Sequence, residues 1–253
     1  MKDLNEKLFE VEHMDPCRMN EMLEFFKDLN KELFKACRTG AIEEIERLIK
    51  TGAYVNATDE DEWTALMYAS FMGQTEIVKL LIDKGANVNT VTVYGRTALS
   101  YASYDGHIET AKLLIDNGAD VNAVDEDGKN ALMLAFKNDQ TETAKLLIDN
   151  GADVNATDKD GWTELMWASK NDHIQTVKLL IEAGADVNAV NNNGFTALMI
   201  ASRKGYTEIA KILIDKGADV NATDKDGWAV LMFAIRNEHI EMIKILIKAG
   251  ANL

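Results

Sequence analysis

The sequence predicts an all-α solenoid, a protein whose short helices stack as successive copies of one structural repeat. Three features point to this fold: glycines recur every 33 residues, a threonine precedes a short helical pattern, and a second helical pattern ends at another glycine. The glycine before the first helix occupies Gly95, Gly128, Gly161, Gly194 and Gly227, and only Glu62 breaks the series. The glycine after the second helix occupies Gly52, Gly85, Gly118, Gly151, Gly184, Gly217 and Gly250. A fixed period of this kind is the signature of a stacked array.

The first helix of each repeat follows a residue that can cap it. In the repeat from Asp158 to Val190 we expect a helix that starts after Thr163 and ends before Asp172, because threonine is a good N-cap. The equivalent residues are Thr64, Thr97 and Thr196, a competent Asn130 and a defective Ala229. A leucine and an alanine three residues apart then lie on one helix face, and the small alanine lets a neighbouring helix approach.

The second helix is predicted over the apolar run from Thr176 to Ile181, and it stops before the helix-ending Gly184. The segment GADVNA and the DKDG that opens the next repeat form a long loop with hairpin-type turn chemistry. Helices of two or three turns are marginal alone in water. We therefore expect stability to come from packing between neighbouring repeats.

These motifs resemble the ankyrin repeat family. The resemblance rests on stretches such as DNGADVNAVDEDGKNALMLA (116–135) and DGHIETAKLLIDNGADVNAV (105–124), and it covers 30–253. It implies an entry repeat and six full or nearly full repeats, at about 30–58, 59–91, 92–124, 125–157, 158–190, 191–223 and 224–253. Where the family usually writes TPLH, this chain has TALM, TALS, NALM, TELM and AVLM. The proline that presets the first helical turn is therefore missing.

The two ends of the chain depart from the repeat. Residues 1–29 form a predicted helical extension or cap, in which Asp15 and Pro16 start a helix. Its apolar stripe of Met19, Met22, Leu23 and Phe26 predicts either a packed cap on the first repeat or a surface for a partner. At the other end, Met242, Ile243 and Leu246 have no following repeat, and we expect exposure there that favours self-association.

Composition and net charge limit the classes of protein to which the chain can belong. The chain has 253 residues, 47% of them hydrophobic, a net charge of −15 and a sequence pI near 4.7. Nucleic acid is an unsuitable partner because affinity for phosphates comes from an excess of Lys and Arg. No stretch has the roughly 18 apolar residues of a membrane span, and the N-terminus does not read as a secretion signal. We expect a soluble cytoplasmic protein in which Cys17 and Cys37 are reduced thiols.

Residue types that often act in catalysis recur at fixed positions of the repeat and form no motif of an active site. Three histidines, His107, His173 and His239, share one repeat position, and the family resemblance implies a structural role; His13 lies in the extension without candidate partners. Glutamates precede lysines by three residues on the second helices, as in Glu142 and Lys145, which is typical of a solvated helix face. The sequence predicts no enzyme, no metal site and no cofactor.

Residues that vary between repeats are the candidates for binding a partner. In ankyrin folds the turn tips and first helices line a concave groove, so the resemblance implies that these side chains lie there. The predicted partner-binding residues are Trp63, Tyr68, Phe71, Met72, Tyr94, Arg96, Tyr101, Tyr104, Lys129, Lys137, Trp162, Trp167, Lys170, Phe195, Arg203, Lys204, Trp228, Phe233 and Arg236. Large aromatic side chains are good anchors at interfaces. An alternative is that the aromatic rings only pack against neighbouring helices, and that Lys137 and Lys170 pair with loop carboxylates such as Asp127 and Asp160.

The predicted function is non-catalytic binding of a protein or peptide. The candidate cations lie in the last four repeats, at Lys137, Lys170, Arg203 and Arg236, so we expect a partner with an acidic side. The exposed rings of Trp63 and its neighbours predict that the partner also has an apolar side. Two alternatives stay open: an inhibitor or immunity-type protein that occludes an enzyme, and a self-assembling scaffold. The oligomeric state does not follow from the sequence.

Overall fold

The computed structural model describes residues 15–252, apart from the side chain of Pro16. This range contains fourteen helices and, in place of β-strands, three isolated antiparallel bridges, between Thr58 and Thr64, Thr157 and Thr163, and Thr223 and Ala229. The helices are α1 (Pro16–Thr39), α2 (Ile42–Thr51), α3 (Ala65–Phe71), α4 (Thr75–Asp83), α5 (Ala98–Tyr104), α6 (Ile108–Asp116), α7 (Ala131–Lys137), α8 (Thr141–Asp149), α9 (Glu164–Lys170), α10 (Ile174–Glu182), α11 (Ala197–Lys204), α12 (Thr207–Asp215), α13 (Val230–Arg236) and α14 (Ile240–Lys248). The predicted all-α repeat fold is confirmed.

The chain divides into two compact units, which are described separately. The N-terminal unit comprises Met1–Ala102 and Glu109–Ala119, and the C-terminal unit comprises Ser103–Ile108 and Asp120–Leu253. In the C-terminal unit, α11 contacts both α9 and α13, and α12 contacts both α10 and α14. Each layer of this unit therefore consists of one helix type from successive repeats.

The first helices begin where the caps predict. The hydroxyl of Thr163 accepts a hydrogen bond from the backbone N–H of Met166 at 3.3 Å, and α9 runs from Glu164 to Lys170. Side-chain caps of the same kind occur at Thr64, Thr97, Asn130 and Thr196. Ala229 makes no side-chain cap, as its sequence predicts.

The second helices are longer than the sequence predicts. Helix α10 spans Ile174–Glu182 instead of residues 176–181. Its earlier start follows from Asp172, whose left-handed φ of 60° turns the chain so that the helix begins two residues later. At the other end, Gly184 with φ of 92° ends the helix, which is the predicted role of the periodic glycine.

Asparagines in the GADVNA segments tie each repeat to the next. The amide of Asn188 donates to the carbonyl of Gly217 at 3.1 Å and accepts from the N–H of Asp219 at 2.8 Å. The same amide-to-carbonyl bond is made by Asn56, Asn89, Asn122, Asn155 and Asn221. These bonds satisfy carbonyls that the ends of the second helices leave unpaired. The asparagine recurs with the period of the glycines, so its role could have been found from the sequence.

Helix α1 joins the predicted extension to the entry repeat. It continues without a break across residue 30, and its second half buries Leu33, Phe34 and Cys37. Burial raises the pKa of the Cys37 thiol to about 12, so this cysteine is unreactive at neutral pH. In the first half, Leu23 and Phe26 are 49% and 37% exposed, so the stripe is only partly packed. His13 lies outside the described residues.

The expected exposure of Met242 and Leu246 is wrong, because both side chains are fully buried. Helix α14 turns this face toward α13 and α12, so the two residues belong to the core of their own repeat. The exposed apolar residues of α14 are instead Ile240 and Ile247, at 62% and 58%.

Candidate functional site

The turn before each first helix is built by one side chain that accepts two backbone hydrogen bonds. The carboxylate of Asp158 accepts from the N–H of Asp160 at 3.0 Å and from that of Trp162 at 2.9 Å. Equivalent acceptors are Asp59, Thr92, Asp125, Asn191 and Asp224. These bonds fix the residue that follows the turn glycine, which we call the turn-tip residue. The six turn-tip residues are Trp63, Arg96, Lys129, Trp162, Phe195 and Trp228.

Backbone hydrogen bonds join the turns of successive repeats within the C-terminal unit. The N–H of Lys159 donates to the carbonyl of Asp127 at 2.9 Å, and the N–H of Asn192 donates to that of Asp160 at 3.0 Å. A Cβ atom at Gly161 would come within 2.7 Å of the Asn192 side chain, so the approach of the loops requires glycine. The turn tips of this unit are therefore held at a fixed spacing. We call the surface of turn-tip residues and the last turns of the first helices, within each unit, the turn-tip face.

In the N-terminal unit the turn-tip face carries a cluster of rings around Trp63. Its indole centroid lies 4.1 Å from that of Tyr101, 4.9 Å from that of Tyr68 and 6.0 Å from that of Phe71. Phe71 and the adjacent Met72 are 41% and 45% exposed, whereas Tyr101 is buried. The cluster thus presents an apolar patch to solvent above a packed floor.

Tyr68 is held within this cluster by its hydroxyl, which donates to Asp59. Burial and then this hydrogen bond raise the pKa of Tyr68 to about 12, so its phenol is neutral at physiological pH. The guanidinium of Arg38 lies 5.4 Å from the centre of the same ring. Tyr68 is therefore a half-buried ring held in position by its neighbours.

In the C-terminal unit each aromatic turn tip has a cation above its ring. The Nζ atom of Lys170 lies 4.9 Å from the Trp162 centroid and 4.3 Å from the Trp167 centroid. The same arrangement recurs with Arg203 over Phe195 at 5.3 Å and with Arg236 over Trp228 at 5.1 Å. The cation and its ring are eight residues apart each time, so the repeat geometry produces the pair. A cation held over a ring keeps its charge while it gains about 0.5–1 kcal/mol.

Lys170 does not form an ion pair with any described loop carboxylate, which was the alternative to a free cation. Its ammonium lies over the indole rings of Trp162 and Trp167. Among the described residues, Lys129 forms the ion pair with Asp127, at 3.2 Å. Within the same range, neither Arg203 nor Arg236 has a carboxylate within 4.0 Å. Asp224 and Asp226 line the recess between these two arginines, and the Asp224 carboxylate holds the turn by accepting from the backbone N–H groups of Asp226 and Trp228 at 3.0 and 2.8 Å.

The predicted binding residues differ in how much they reach solvent. Tyr101 and Phe233 are buried, so within their units they pack beneath the turn-tip face. The half-buried members are Trp63, Tyr68, Arg96, Tyr104, Lys129, Trp162, Trp167, Lys170, Phe195, Arg203 and Trp228. The exposed members are Phe71, Met72, Tyr94, Lys137, Lys204 and Arg236. Phe233 lies 5.3 Å from Phe195 and 5.6 Å from Trp228, between centroids, and it fixes both rings from below.

Sequence reasoning missed a cavity between α7 and α9. It has a volume of about 370 Å³ and is lined by residues that include Phe136, Glu164 and Trp167. Glu164 is 8% exposed, and burial together with the nearby charge of Asp158 raises its pKa well above the usual range. The available signal was a departure from the repeat: Glu164 stands where four other repeats have alanine and one has valine.

Neither a cluster of metal ligands nor a membrane-spanning helix is present in the described part of the chain. No group of three or more His, Cys, Asp or Glu side chains is arranged to hold a metal ion between residues 15 and 252. Over the same residues, no helix has both the length and the apolar character needed to span a bilayer. The ring of His239 bonds the carbonyl of Arg203 at 3.1 Å, which joins adjacent repeats and agrees with a structural role.

Paired short helices and hairpin-type loops that recur every 33 residues define a helical repeat protein. A family model for ankyrin repeats, in three copies, matches residues 33–125, 122–191 and 165–253. The chain belongs to the ankyrin repeat family, whose repeats are generally modules for protein–protein interaction and typically non-catalytic.

A solved structure supports the same assignment. The ankyrin repeat domain of Bcl-3, described as a unique member of the IkappaB protein family, is similar to this chain with a TM-score of 0.77 and 29% identity. The similarity covers 84% of this chain and 97% of that one. Comparison with curated proteins gives no match. Since 636 chains of solved structures match, the fold alone does not identify a partner.

Proposed function

We propose that this protein binds a partner protein or peptide through the turn-tip face, on the side that is concave in ankyrin folds. The C-terminal unit contacts an acidic surface, and the N-terminal unit contacts an apolar one. The observation that carries this function is the stacking of Lys170, Arg203 and Arg236 over aromatic turn tips. Three adjacent repeats thus carry the same ring-and-cation pair in a chain whose net charge is −15.

The electrostatics of these pairs favours an acidic partner. Packed helices are separated by roughly 8–10 Å, which is close to the Debye length of about 8 Å at physiological salt. The three cations therefore reinforce one another's field. Because each is held by a ring and not by a carboxylate within 4.0 Å in the described chain, a partner's carboxylate can approach without first breaking an ion pair. Arg and aromatic side chains are also the residues enriched at energetic centres of interfaces.

The N-terminal unit supplies a different contact surface. Phe71, Met72 and Tyr94 are 41%, 45% and 57% exposed, and Trp63 lies beneath Phe71 with its ring nearly perpendicular. Exposed apolar patches of this kind mark interaction sites. Rings fixed by their neighbours lose little conformational entropy on binding, which improves affinity without further contacts.

The test is retention of cellular proteins by the immobilised chain, compared between wild type and two double variants. In the first, Trp162→Ala and Trp228→Ala remove two turn tips of the C-terminal unit. In the matched control, Ile240→Ala and Ile247→Ala remove exposed apolar side chains of α14, outside the turn-tip face. Truncation of an anchor side chain to alanine weakens binding by on the order of 2 kcal/mol or more. The turn-tip variant should therefore lose proteins that the control retains.

The melting curve of each variant establishes that it is folded before retention is compared. If the folded turn-tip variant and the α14 variant retain the same proteins in equal amounts, binding through the C-terminal turn-tip face is contradicted.

A further inference from the structure

Two departures from the repeat face one another across the cavity between α7 and α9. Phe136 stands where Ser70, Ser103, Ser169 and Ser202 stand in other repeats, and Glu164 stands where most repeats have alanine. Of the four serines, Ser202 donates to the carbonyl of Val230 at 2.8 Å, whereas the hydroxyls of the other three have no hydrogen-bond partner within the described residues. Phe136 and Glu164 are the equivalent pair, and both line the cavity. The cavity thus lies where two residues that depart from the repeat come together.

Glu164 is a buried acceptor without a partner. Its side chain is 8% exposed, and within residues 15–252 its carboxyl group makes no hydrogen bond and no ion pair. Its oxygens are not sealed in the protein interior, since they are absent from the fully buried unpaired atoms of the described chain. Glu164 is one of the residues that line the cavity. A carboxyl group with so little access to water gains from a ligand that donates a hydrogen bond to it.

The walls and the mouth of the cavity restrict what enters. Met133, Phe136 and the indole of Trp167 form apolar walls, while Lys129 and Lys137 also line the cavity. Lys170 covers one face of the Trp167 ring at 4.3 Å. Lys129 is paired with Asp127, so Lys137 and Lys170 are the cations that disfavour a lysine or arginine of the partner and favour neighbouring carboxylates. The volume of about 370 Å³ lies within the range of small-ligand pockets.

We propose that this cavity is a specificity pocket for a tyrosine side chain within an acidic segment of the partner. The ring packs between Phe136, Met133 and Trp167, the hydroxyl bonds Glu164, and flanking carboxylates meet Lys137 and Lys170. A phenol hydroxyl both donates and accepts, so it satisfies Glu164 in either protonation state. The assignment rests on the proposed function, because it names the chemistry that the C-terminal turn-tip face recognises.

The test uses the full chain and three defined peptides, each with acetyl and amide ends. The first is Gly-Glu-Glu-Tyr-Glu-Glu-Gly, the second replaces tyrosine by phenylalanine, and the third replaces each glutamate by lysine. Binding is followed through the indole N–H resonance of Trp167 in nitrogen–proton correlation spectra, assigned with Trp167→Phe. We expect a short peptide that fills one pocket to bind with a Kd of about 1 mM.

The tyrosine peptide should bind at least about tenfold more tightly than the phenylalanine peptide, because the latter leaves Glu164 unpaired. The lysine peptide should show no binding. Glu164→Ala, which restores the alanine of the other repeats, should fold normally and bind the tyrosine and phenylalanine peptides equally. Failure of the tyrosine peptide to bind the wild type overturns the pocket, as does a tyrosine preference that survives in Glu164→Ala.

These outcomes are separable from the test of the proposed function. If the Trp162 and Trp228 variant loses cellular partners but the peptides show no tyrosine preference, the pocket is wrong and the binding face stands. If the preference is seen and partner retention is unaffected by those tryptophans, the pocket stands and the wider face is wrong.

Discussion

The indole N–H of Trp167 donates a 3.1 Å hydrogen bond to Asp158, the carboxylate that also holds the turn leading to Trp162. One buried acidic side chain therefore fixes both rings of this repeat, whose centroids are 4.6 Å apart. In the N-terminal unit Asp59 has the same role, since it holds its turn and accepts from the hydroxyl of Tyr68.

Asp158→Ala should lower the free energy of unfolding by about 2–3 kcal/mol, since it removes three hydrogen bonds of about 1 kcal/mol each. Tryptophan emission should shift to longer wavelength as the Trp167 ring reaches solvent. The control is Asp160→Ala, which removes an equal charge from an exposed position of the same turn and should change stability by less than about 0.5 kcal/mol. Equal losses in the two variants would mean that Asp158 does not hold the rings.

Glu164→Ala should raise the free energy of unfolding by about 1 kcal/mol, the lower end of the cost of an unpaired buried polar group, because its oxygens keep some access to solvent. Alanine occupies the equivalent position in four other repeats, so the shorter side chain fits the helix start. Chemical denaturation of the two proteins measures the difference. Glu126→Ala, an exposed carboxylate on a loop of the same unit, controls for the change in net charge, and a loss of stability in Glu164→Ala would contradict the cost of burial.

The stability difference between Glu164→Gln and wild type should depend on pH. Burial and Asp158 raise the pKa of Glu164 above its usual range, whereas the unfolded chain has the ordinary value of about 4.3. Between these two pKa values the folded state holds the extra proton, so wild-type stability falls as pH rises. The advantage of the glutamine variant should be smallest below pH of about 4 and should widen above it. Asp158, Lys129, Lys137 and His173 face the same region, but they are present in both proteins and cancel in the difference.

Glu62→Gly should raise the free energy of unfolding by about 1 kcal/mol. Glu62 occupies the position of the turn glycines with φ of 61°, and a left-handed conformation costs a side chain about 1–3 kcal/mol. Glycine removes that strain at an entropic cost of roughly 0.5–1 kcal/mol. Gly161→Ala is the converse, because its Cβ would collide with Asn192, and it should be destabilising. Thermal melts that rank the two variants in the opposite order would contradict this account of the turn.

Ala229→Thr should stabilise the last described repeat by about 1 kcal/mol, because it restores the hydroxyl cap that other first helices have. The backbone at Ala229 is already extended, with φ of −76° and ψ of 157°, as at the capped threonines. Ala229→Val has the same shape without the hydroxyl and should give no gain. Hydrogen exchange of the first amides of α13 distinguishes the two, and equal protection in both would show that packing and not capping is responsible.

The repeat frame could be predicted from the sequence because its signals are local. Thr163 caps α9 and Gly184 ends α10 through contacts within a few residues, so spacing alone reveals them. The start of α10 was misplaced because Asp172 adopts a left-handed conformation without being a glycine. The equivalent residues in other repeats are Gly40, Gly73, Gly106 and Gly205, and aspartate adopts this conformation more readily than most residues with a side chain, so the period did carry a signal for this turn.

The environment of individual side chains depends on neighbouring repeats, and the sequence predicted it less well. Tyr101 and Phe233 share a column with the half-buried Tyr68 and Trp167, yet both are buried, because rings from adjacent turns cover them. Met242 is buried because α14 packs against α13 of its own repeat. The prediction of exposure considered only the missing repeat after α14. The cavity at Glu164 could be predicted only by combining two departures from the repeat, Phe136 on α7 and Glu164 on α9, which lie 28 positions apart in the sequence.

The measurement that tests the proposed function most directly is the association rate constant with a partner retained in the capture experiment, at low and high salt. Lys170→Glu with Arg203→Glu reverses two ring-held cations, and Lys211→Glu with Lys216→Glu makes the same change of charge at exposed positions of α12 and its C-terminus. We expect the first variant to associate about tenfold more slowly, with a weaker dependence on salt, and the second to resemble the wild type. Equal association rates and equal salt dependence in the two variants would contradict binding through the cationic turn-tip face.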